Sequence, residues 1–455
     1  MARYVDASPP VKSHIETLCK VGYKFTTAVG DIVDNSIAAK ASRIDIYFLI
    51  SEGNPYLEIR DNGDGMTPKE LVDNMSIGCK DPLVDRKPGD LGRFGSGLKT
   101  ASFSQARKLT VFSRAKGNDL AAAIWDIDLV VDKNAWCLEV LDRQDIEDYF
   151  SEILSESEKT GVVVRWDKIT ATVDDIHAPP VDAQIASLLD DLHRYLGTHY
   201  HRYLTGIGKC VISINGKEVE PIDPFMRDIP GYQEGPSTEL RGRQGKVSIK
   251  THILPPFNMM SHEQISNYGG TGAITEKQGL YIYREKRLIV EGGWQDLTRL
   301  SQLAGLARVQ IDVPASMDLE WSTDVKKSSL ILPPKIKSRL RNLVSSPIKK
   351  SRAVHTYGGK KEVESDYWLV IENERERFVA YEANPQNEAL HALMGTLGPD
   401  GQKRVAIYLS KLCASIPLRH IHSNMSEKPK EIHQGKIDEI DTIEAWLERA
   451  LGDET

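Results

Sequence analysis

Three polar clusters follow one another within the first hundred residues of this 455-residue chain, each on or at the end of a predicted element. The first, DIVDNSIAA (31–39), lies on a helix. Asp31 and Asn35 are four apart and share one face. A carboxylate and a carboxamide so placed can orient a water and coordinate a hard cation such as Mg2+; taken alone they also read as a polar helix face. The second, DNGDGM (61–66), directly follows a strand. Asp61 at the strand end can accept from an exocyclic amine such as that of adenine. Gly63 and Gly65 let a ring approach the backbone. In isolation this pattern is also a common turn. The third, LGRFGSGLKTAS (91–102), is a glycine-rich loop opening a helix. Free N–H groups and the helix dipole favour phosphate there, and Lys99 adds a charge. It is not a P-loop, because Leu98 precedes Lys99 and the GxxxxGK[ST] order is absent. Nor is it a dinucleotide GxGxxG turn.

The surrounding pattern predicts an α+β fold with helices on one face of a mixed sheet. A helical stretch from Val11, interrupted near Gly22, leads to strands RIDIYFLI and YLEIRD. TPKELVDNMSIG reads as a helix with a capping box of Thr67 and Glu70 and Pro68 at its first position. KLTVFSR, AAAIWDIDLV, WCLEVLD and GVVVRWDKI read as strands. Near residue 175 the pattern changes to a long amphipathic helix, a hairpin at Asn215-Gly216, further strands and the helix PKIKSRLRNLVSS. The expected division is a first domain at 1–175, a second α/β domain at 176–347, a basic linker at 348–362 and a small C-terminal α/β module at 363–455.

Composition narrows the function classes. Lys and Arg number 58 against 65 Asp and Glu, a formal charge of −7, which excludes a globally basic nucleic-acid coat but not a local basic patch. No run of 18 apolar residues marks a membrane span, and the N-terminus lacks the apolar stretch of a signal peptide. The five cysteines stand singly, so neither a zinc site nor a disulfide framework is expected and a reduced, cytoplasmic setting fits.

Order and spacing together give the clusters their specificity. The chain resembles the GHKL ATPases, a group that includes DNA gyrase B, MutL, the ninety-kilodalton heat-shock chaperone, histidine kinases and MORC proteins. DIVDNSIAA resembles their first motif, DNGDGM the second and GRFGSGLK the third, and TGVVVRW (160–166) stands where the fourth is expected. The similarity is to the MORC/MutL-like branch. It implies a Bergerat-type α/β sandwich binding ATP and Mg2+, followed by a transducer-like domain. By this resemblance Asp31 is the general base that orients the attacking water, and Asn35 supplies an oxygen to Mg2+. Asp61 reads the adenine amino group, Gly63 and Gly65 shape the pocket, and Met66 forms an apolar wall. Gly92, Gly95, Gly97, Leu98 and Lys99 belong to the phosphate-holding segment, and 78–97 is the ATP lid carrying Lys80, Arg86 and Lys87.

Two positions depart from the family. Its base is glutamate, and Asp31 is one methylene shorter, which weakens a hydrogen bond that must lie within about 3.2 Å and predicts slow turnover. Its fourth motif offers a threonine after glycine, whereas Val162 follows Gly161; Thr160 or a water takes that place. Far downstream, DLEWSTDVKKSSL (318–330) carries Lys326 and Lys327. The resemblance implies that one of them reaches the ATP γ-phosphate, stabilising its charge and tying the domains together when ATP is bound.

His14 reads as a surface residue, because no dimerising acceptor hairpin precedes Asp31. His193, His199 and His201 share a helix with Tyr195, Tyr200 and Tyr203, a face suited to packing on the first domain. Arg241, Arg243, Lys246 and Lys250, with Lys349, Lys350, Arg352, Lys360 and Lys361, form either a phosphate-contacting surface or a scatter of solvated charges. The expected function is a Mg-dependent, slowly hydrolysing ATP switch. Its ATP-driven homodimer closure would act on double-stranded DNA or a protein client, in repair, restriction or phage defence, with the C-terminal module docking an effector. A non-catalytic ATP-dependent scaffold and a histidine-kinase-like signalling protein are the alternatives.

Overall fold

The computed structural model describes residues 9–51, 53–77, 97–146, 160–170, 181–241, 245–301, 304–317, 321, 332–357, 367–373 and 378–416. It divides into two compact units, 1–355 and 356–455.

The first unit opens with helices α1 (Val11–Cys19) and α2 (Phe25–Ala38), separated at Gly22, whose φ of +72° is the left-handed conformation glycine tolerates. Strands β1 (Arg43–Ser51) and β2 (Asn54–Asp61) follow, then α3 (Pro68–Met75) and α4 (Gly97–Phe103). Next come β3 (Ala106–Arg114), β4 (Ala121–Asp126), α5 (Ile127–Lys133), β5 (Glu139–Leu141) and β6 (Gly161–Ile169). The predicted capping box of α3 is present: Thr67 Oγ1 accepts from Glu70 N at 3.3 Å, and Thr67 N donates to Glu70 Oε2 at 2.9 Å.

On α2, Phe25, Ala28, Val29, Ile32 and Val33 recur at helical spacing and join the core formed by Ile44, Ile46 and Phe48 of β1 and Leu57 and Ile59 of β2. The other side of α2 is polar yet also buried: Asp31 and Asp34 are 4% and 0% exposed. A helix buried on both sides needs a second covering layer. That layer is α6 (Val181–His199) and α7 (His201–Leu204), which contribute Leu192, Leu196, Tyr200 and Leu204 to the same core.

Two sequence expectations change here. AAAIWDIDLV is not one strand. After β4, the Asp126 carboxylate accepts from Asp128 N at 3.0 Å and Leu129 N at 3.4 Å and caps α5. An apolar run cannot by itself distinguish strand from helix, and the cap decides. The hairpin β7 (Val211–Ile214) and β8 (Lys217–Glu218), with positive φ at Asn215 and Gly216 as predicted, was expected in the second domain. Instead β7 pairs parallel with β1, and the first sheet runs β5-β4-β3-β6-β2-β1-β7-β8. Residues 181–218 therefore complete the first sheet and its core, beyond the expected boundary at 175.

The second sheet begins with β9 (Gln233–Arg241) and β10 (Lys246–Ile253). Short helices α8 (His262–Asn267) and α9 (Gly270–Glu276) precede β11 (Gly279–Arg284), β12 (Arg287–Glu291) and β13 (Ala307–Val313). Its order is β12-β11-β13-β10-β9, with β11 parallel to β13. Trp321, and Leu340 and Val344 of α10 (Pro334–Tyr357), cover its apolar face. The sequence ended this helix at Ser346; it runs through Pro347 to Tyr357, so part of the basic stretch is helical. Proline removes one donor but its fixed φ is helical, and the flanking residues sustain the turns.

The second unit carries an antiparallel strand pair, β14 (Trp368–Asn373) and β15 (Phe378–Ala383), followed by α11 (Glu388–Thr396) and α12 (Pro399–Ala414). Among the described residues no helix is long and apolar enough to cross a membrane.

Candidate functional site

The site gathers at one end of the first sheet, where β2 and β6 meet α2. Asp61, the last residue of β2, pairs in register with Val162 of β6. Its Oδ2 accepts from Ser36 Oγ at 2.7 Å, and its Oδ1 accepts from Gly63 N at 2.9 Å and Val162 N at 3.3 Å. Burial raises the Asp61 carboxyl above its ordinary range, and these three donors oppose that shift. Ser36 and Val162 were not identified from sequence. Ser36 lies one position past the recognised Asn35, and Val162 acts through its main chain, which leaves no residue-type signal. The fourth-motif departure is thus met by a backbone N–H that serves Asp61 whatever side chain stands there. Thr160, half-buried, immediately precedes Gly161.

The glycines of the second motif have packing reasons. A Cβ on Gly63 would stand 2.8 Å from Ala39 O, because the loop lies against the end of α2, where Asp64 N donates to Ala39 O at 2.8 Å. Gly65 has φ +69°, and a Cβ there would lie 2.0 Å from Arg114 O. Met66 is half-buried; its N donates to Ser113 Oγ at 2.7 Å, and its sulfur accepts from Asn74 Nδ2 at 3.5 Å.

Asp31 and Asn35 share a face of α2 as expected, with Asp31 buried and Asn35 exposed. The first residue of α4 stands over Asp31: a Cβ on Gly97 would be 3.9 Å from Asp31 Oδ2. The structure therefore brings together Asp31, Asn35, Asp61, Gly63, Gly65, Met66, Gly97 and Thr160 around the α2, β2 and β6 ends. Gly92, Gly95, Lys326 and Lys327, and the lid with Lys80, Arg86 and Lys87, lie outside the described residues.

Two members of the phosphate segment take other roles. Leu98 packs on the core. Lys99 is 3% exposed, and its Nζ donates to Asn74 O at 2.6 Å and Ser76 O at 2.8 Å, at the C-terminal end of α3. Cations suit a helix C-terminus, where carbonyls lack partners. Sequence spacing favoured phosphate, but the ammonium ties α4 to α3. Lys99→Met is expected to destabilise the fold by about 1–3 kcal/mol, since two carbonyls lose a charged donor. Urea denaturation reads this, and an unchanged midpoint would return Lys99 to the phosphate role.

Above α2 sits a charged layer that the sequence did not single out. Arg287, the first residue of β12, is buried and forms an ion pair with Asp34. Its Nη1 is 3.7 Å from Asp31 Oδ1, and its Nη2 donates to Tyr195 Oη at 3.2 Å. Tyr200 Oη, with one proton to donate, lies 2.6 Å from Gly30 O and 2.8 Å from Asp34 Oδ1. Burial pulls the guanidinium down to about 10 and the Asp31 charge opposes this, so Arg287 stays cationic near neutrality. The expected single helix breaks at Tyr200: Tyr195 and Tyr200 face α2, with Tyr195 stacked on His199 at 4.0 Å, whereas His201 of α7 lies 3.0 Å from Tyr283 Oη of the second sheet.

The basic residues of the second sheet are partly neutralised. Lys246 pairs with Glu239 at 3.0 Å and Lys250 with Glu234 at 2.6 Å. Lys349 and Lys350 are exposed on α10, while Arg243, Lys360 and Lys361 lie outside the described residues.

The segment that holds this site is similar to known proteins. Residues 23–160 match the family described as histidine kinase-, DNA gyrase B-, and HSP90-like ATPase. Protein MICRORCHIDIA 7 of Arabidopsis thaliana is 25% identical over 167 residues, 33% of this chain and 23% of that protein. ATPase morc-1 of Caenorhabditis elegans is 31% identical over 91 residues, 20% of this chain and 10% of that protein. Chaperone protein HtpG of Natranaerobius thermophilus is 24% identical over 277 residues, 54% of this chain and 42% of that protein. The chain spans less than half the length of each of these relatives.

Proposed function

We propose, from a chain whose residues 23–160 match the histidine kinase-, DNA gyrase B-, and HSP90-like ATPase family and which is similar to MORC proteins, that this protein binds ATP with Mg2+ and hydrolyses it slowly as a conformational switch. The observation that carries the reading is the placement of Asp31 and Asn35 on one face of α2, under the first residue of α4 and beside the fastened carboxylate of Asp61. A buried carboxylate next to a presented carboxamide is a donor set that fits a nucleotide-bound hard cation and its attacking water.

Asp61 accepts the adenine amino group, and the Ser36, Gly63 and Val162 donors fix its orientation before ATP arrives. Asn35 would hold Mg2+ through its carboxamide oxygen, and a bound ion there would supply neutralisation of phosphate charge. Asp31 orients the water and takes its proton. Its side chain is one methylene shorter than the family glutamate, which lengthens that reach and slows the step. Lys326 or Lys327 meets the γ-phosphate. The first domain acts with the second sheet as a transducer, and two copies close about a two-fold axis when ATP is bound. The exposed lysines of α10 support contact with the phosphates of double-stranded DNA, and the C-terminal unit docks a protein effector.

The test is steady-state phosphate release from Mg-ATP with and without double-stranded DNA, alongside light scattering with a non-hydrolysable analogue. Turnover raised by DNA and a doubled mass with the analogue are expected. ATP bound without turnover would favour the non-catalytic scaffold, and no ATP binding would end the reading. Asp61→Asn is expected to weaken ATP binding at least about tenfold, the loss of one charge-assisted hydrogen bond. Calorimetric titration measures it, and retained affinity would remove Asp61 from adenine recognition.

A further inference from the structure

Arg287 belongs to the second sheet, yet its guanidinium is buried against α2 of the first. Three contacts fix it there: the ion pair with Asp34, the 3.2 Å bond to Tyr195 Oη, and the Tyr200 ring, whose centroid is 5.2 Å from Cζ. Helix α2 makes room for it. A Cβ on Gly30 would stand 3.0 Å from Tyr195 Cε1 and Oη and 3.2 Å from Arg287 Nη2. Anchored in this way, the guanidinium leaves Nη1 3.7 Å from Asp31 Oδ1. That is too long for a hydrogen bond but well inside the range where opposite charges in a water-poor site attract strongly.

We propose that Arg287 is a positioning residue for ATP hydrolysis: held on Asp34, Tyr195 and Tyr200, it fixes the Asp31 carboxylate on α2, so that hydrolysis in the first domain depends on β12 being docked. This rests on the reading of Asp31 as the residue that orients the attacking water. Aspartate has two side-chain torsions, and a fixed cation to one side of its carboxylate selects among them. The guanidinium suits the task because its planar fork engages several partners while keeping one edge toward Asp31. Lysine, a point charge, preserves the attraction but not the full set of contacts. The second sheet thereby acts on the chemistry from a residue that need not touch ATP. If β12 withdraws, Asp31 loses its positioning charge while Asp61 and its donors, in the first sheet, α2 and the loop after β2, remain in place.

The test compares ATP hydrolysis and ATP affinity in the full chain for wild type, Arg287→Lys, Arg287→Met and Arg287→Met combined with Asp34→Asn. The double variant avoids leaving Asp34 buried without its cation, so it reads the charge even where Arg287→Met fails to fold. Expected are an ATP Kd within about threefold of wild type and a kcat lowered at least about tenfold in the double variant, with kcat partly restored in Arg287→Lys. A kcat unchanged in the double variant, or raised, overturns the inference while leaving Asp31 its role. A wild type without turnover, or an Asp31→Asn variant with full turnover, overturns the underlying reading and the inference with it.

Discussion

Asp31→Asn is expected to bind Mg-ATP as the wild type does and to lose turnover by about a hundred- to ten-thousand-fold, the range a positioned general base contributes. The substitution keeps shape and volume, so α2 and its packing against β1 and β2 are undisturbed. Arg287 retains its ion pair with Asp34, so no cation is stranded. Asn35 and Asp61, proposed to carry the cation and adenine contacts, are untouched. What disappears is the capacity to take a proton. Phosphate release measures the first effect and calorimetry the second. Equal loss of affinity and turnover would show that Asp31 binds nucleotide rather than activating water.

The second large effect is on the fold. Gly65→Ala is expected to destabilise the first unit by about 3 kcal/mol or more, combining left-handed backbone strain with overpacking. At φ +69° the added Cβ would sit 2.0 Å from the carbonyl oxygen of Arg114, the last residue of β3. That strand is paired on both sides, with β4 and β6, and cannot retreat cheaply. The loop 62–66 must then move, and with it the Gly63 N–H that orients Asp61. Thermal or urea unfolding reads the stability. A Gly65→Ala variant with the wild-type midpoint and wild-type ATP affinity would mean that the loop relaxes without involving the site.

What the sequence made legible was local. The spacing of Asp31 and Asn35, the strand end at Asp61, the capping box at Thr67 and the turn at Asn215-Gly216 all depend on neighbours within a few positions, and all stand in the structure. The remainder depends on long-range partners. Nothing in VISI announces that it lies parallel to β1 rather than in a later sheet. Lys99 beside glycines suggested phosphate, and only the approach of α3 reveals its carbonyl partners. Arg287 opens an ordinary strand, RLIVE, and its meaning comes from Asp34, more than 250 positions away. Val162 departs from the family residue, yet its N–H serves Asp61 regardless of side chain.

The parallel pairing of β1 with β7 also has a consequence for synthesis. An open strand edge is a template for unwanted pairing. Strand β1 gains its outer neighbour only when Val211–Ile214 have been made, after the segments 31–39, 61–66, 91–102 and 160–166. The nascent first domain therefore passes through an interval with one flank of β1 uncovered. A fragment cut at the last motif would keep that vulnerability permanently.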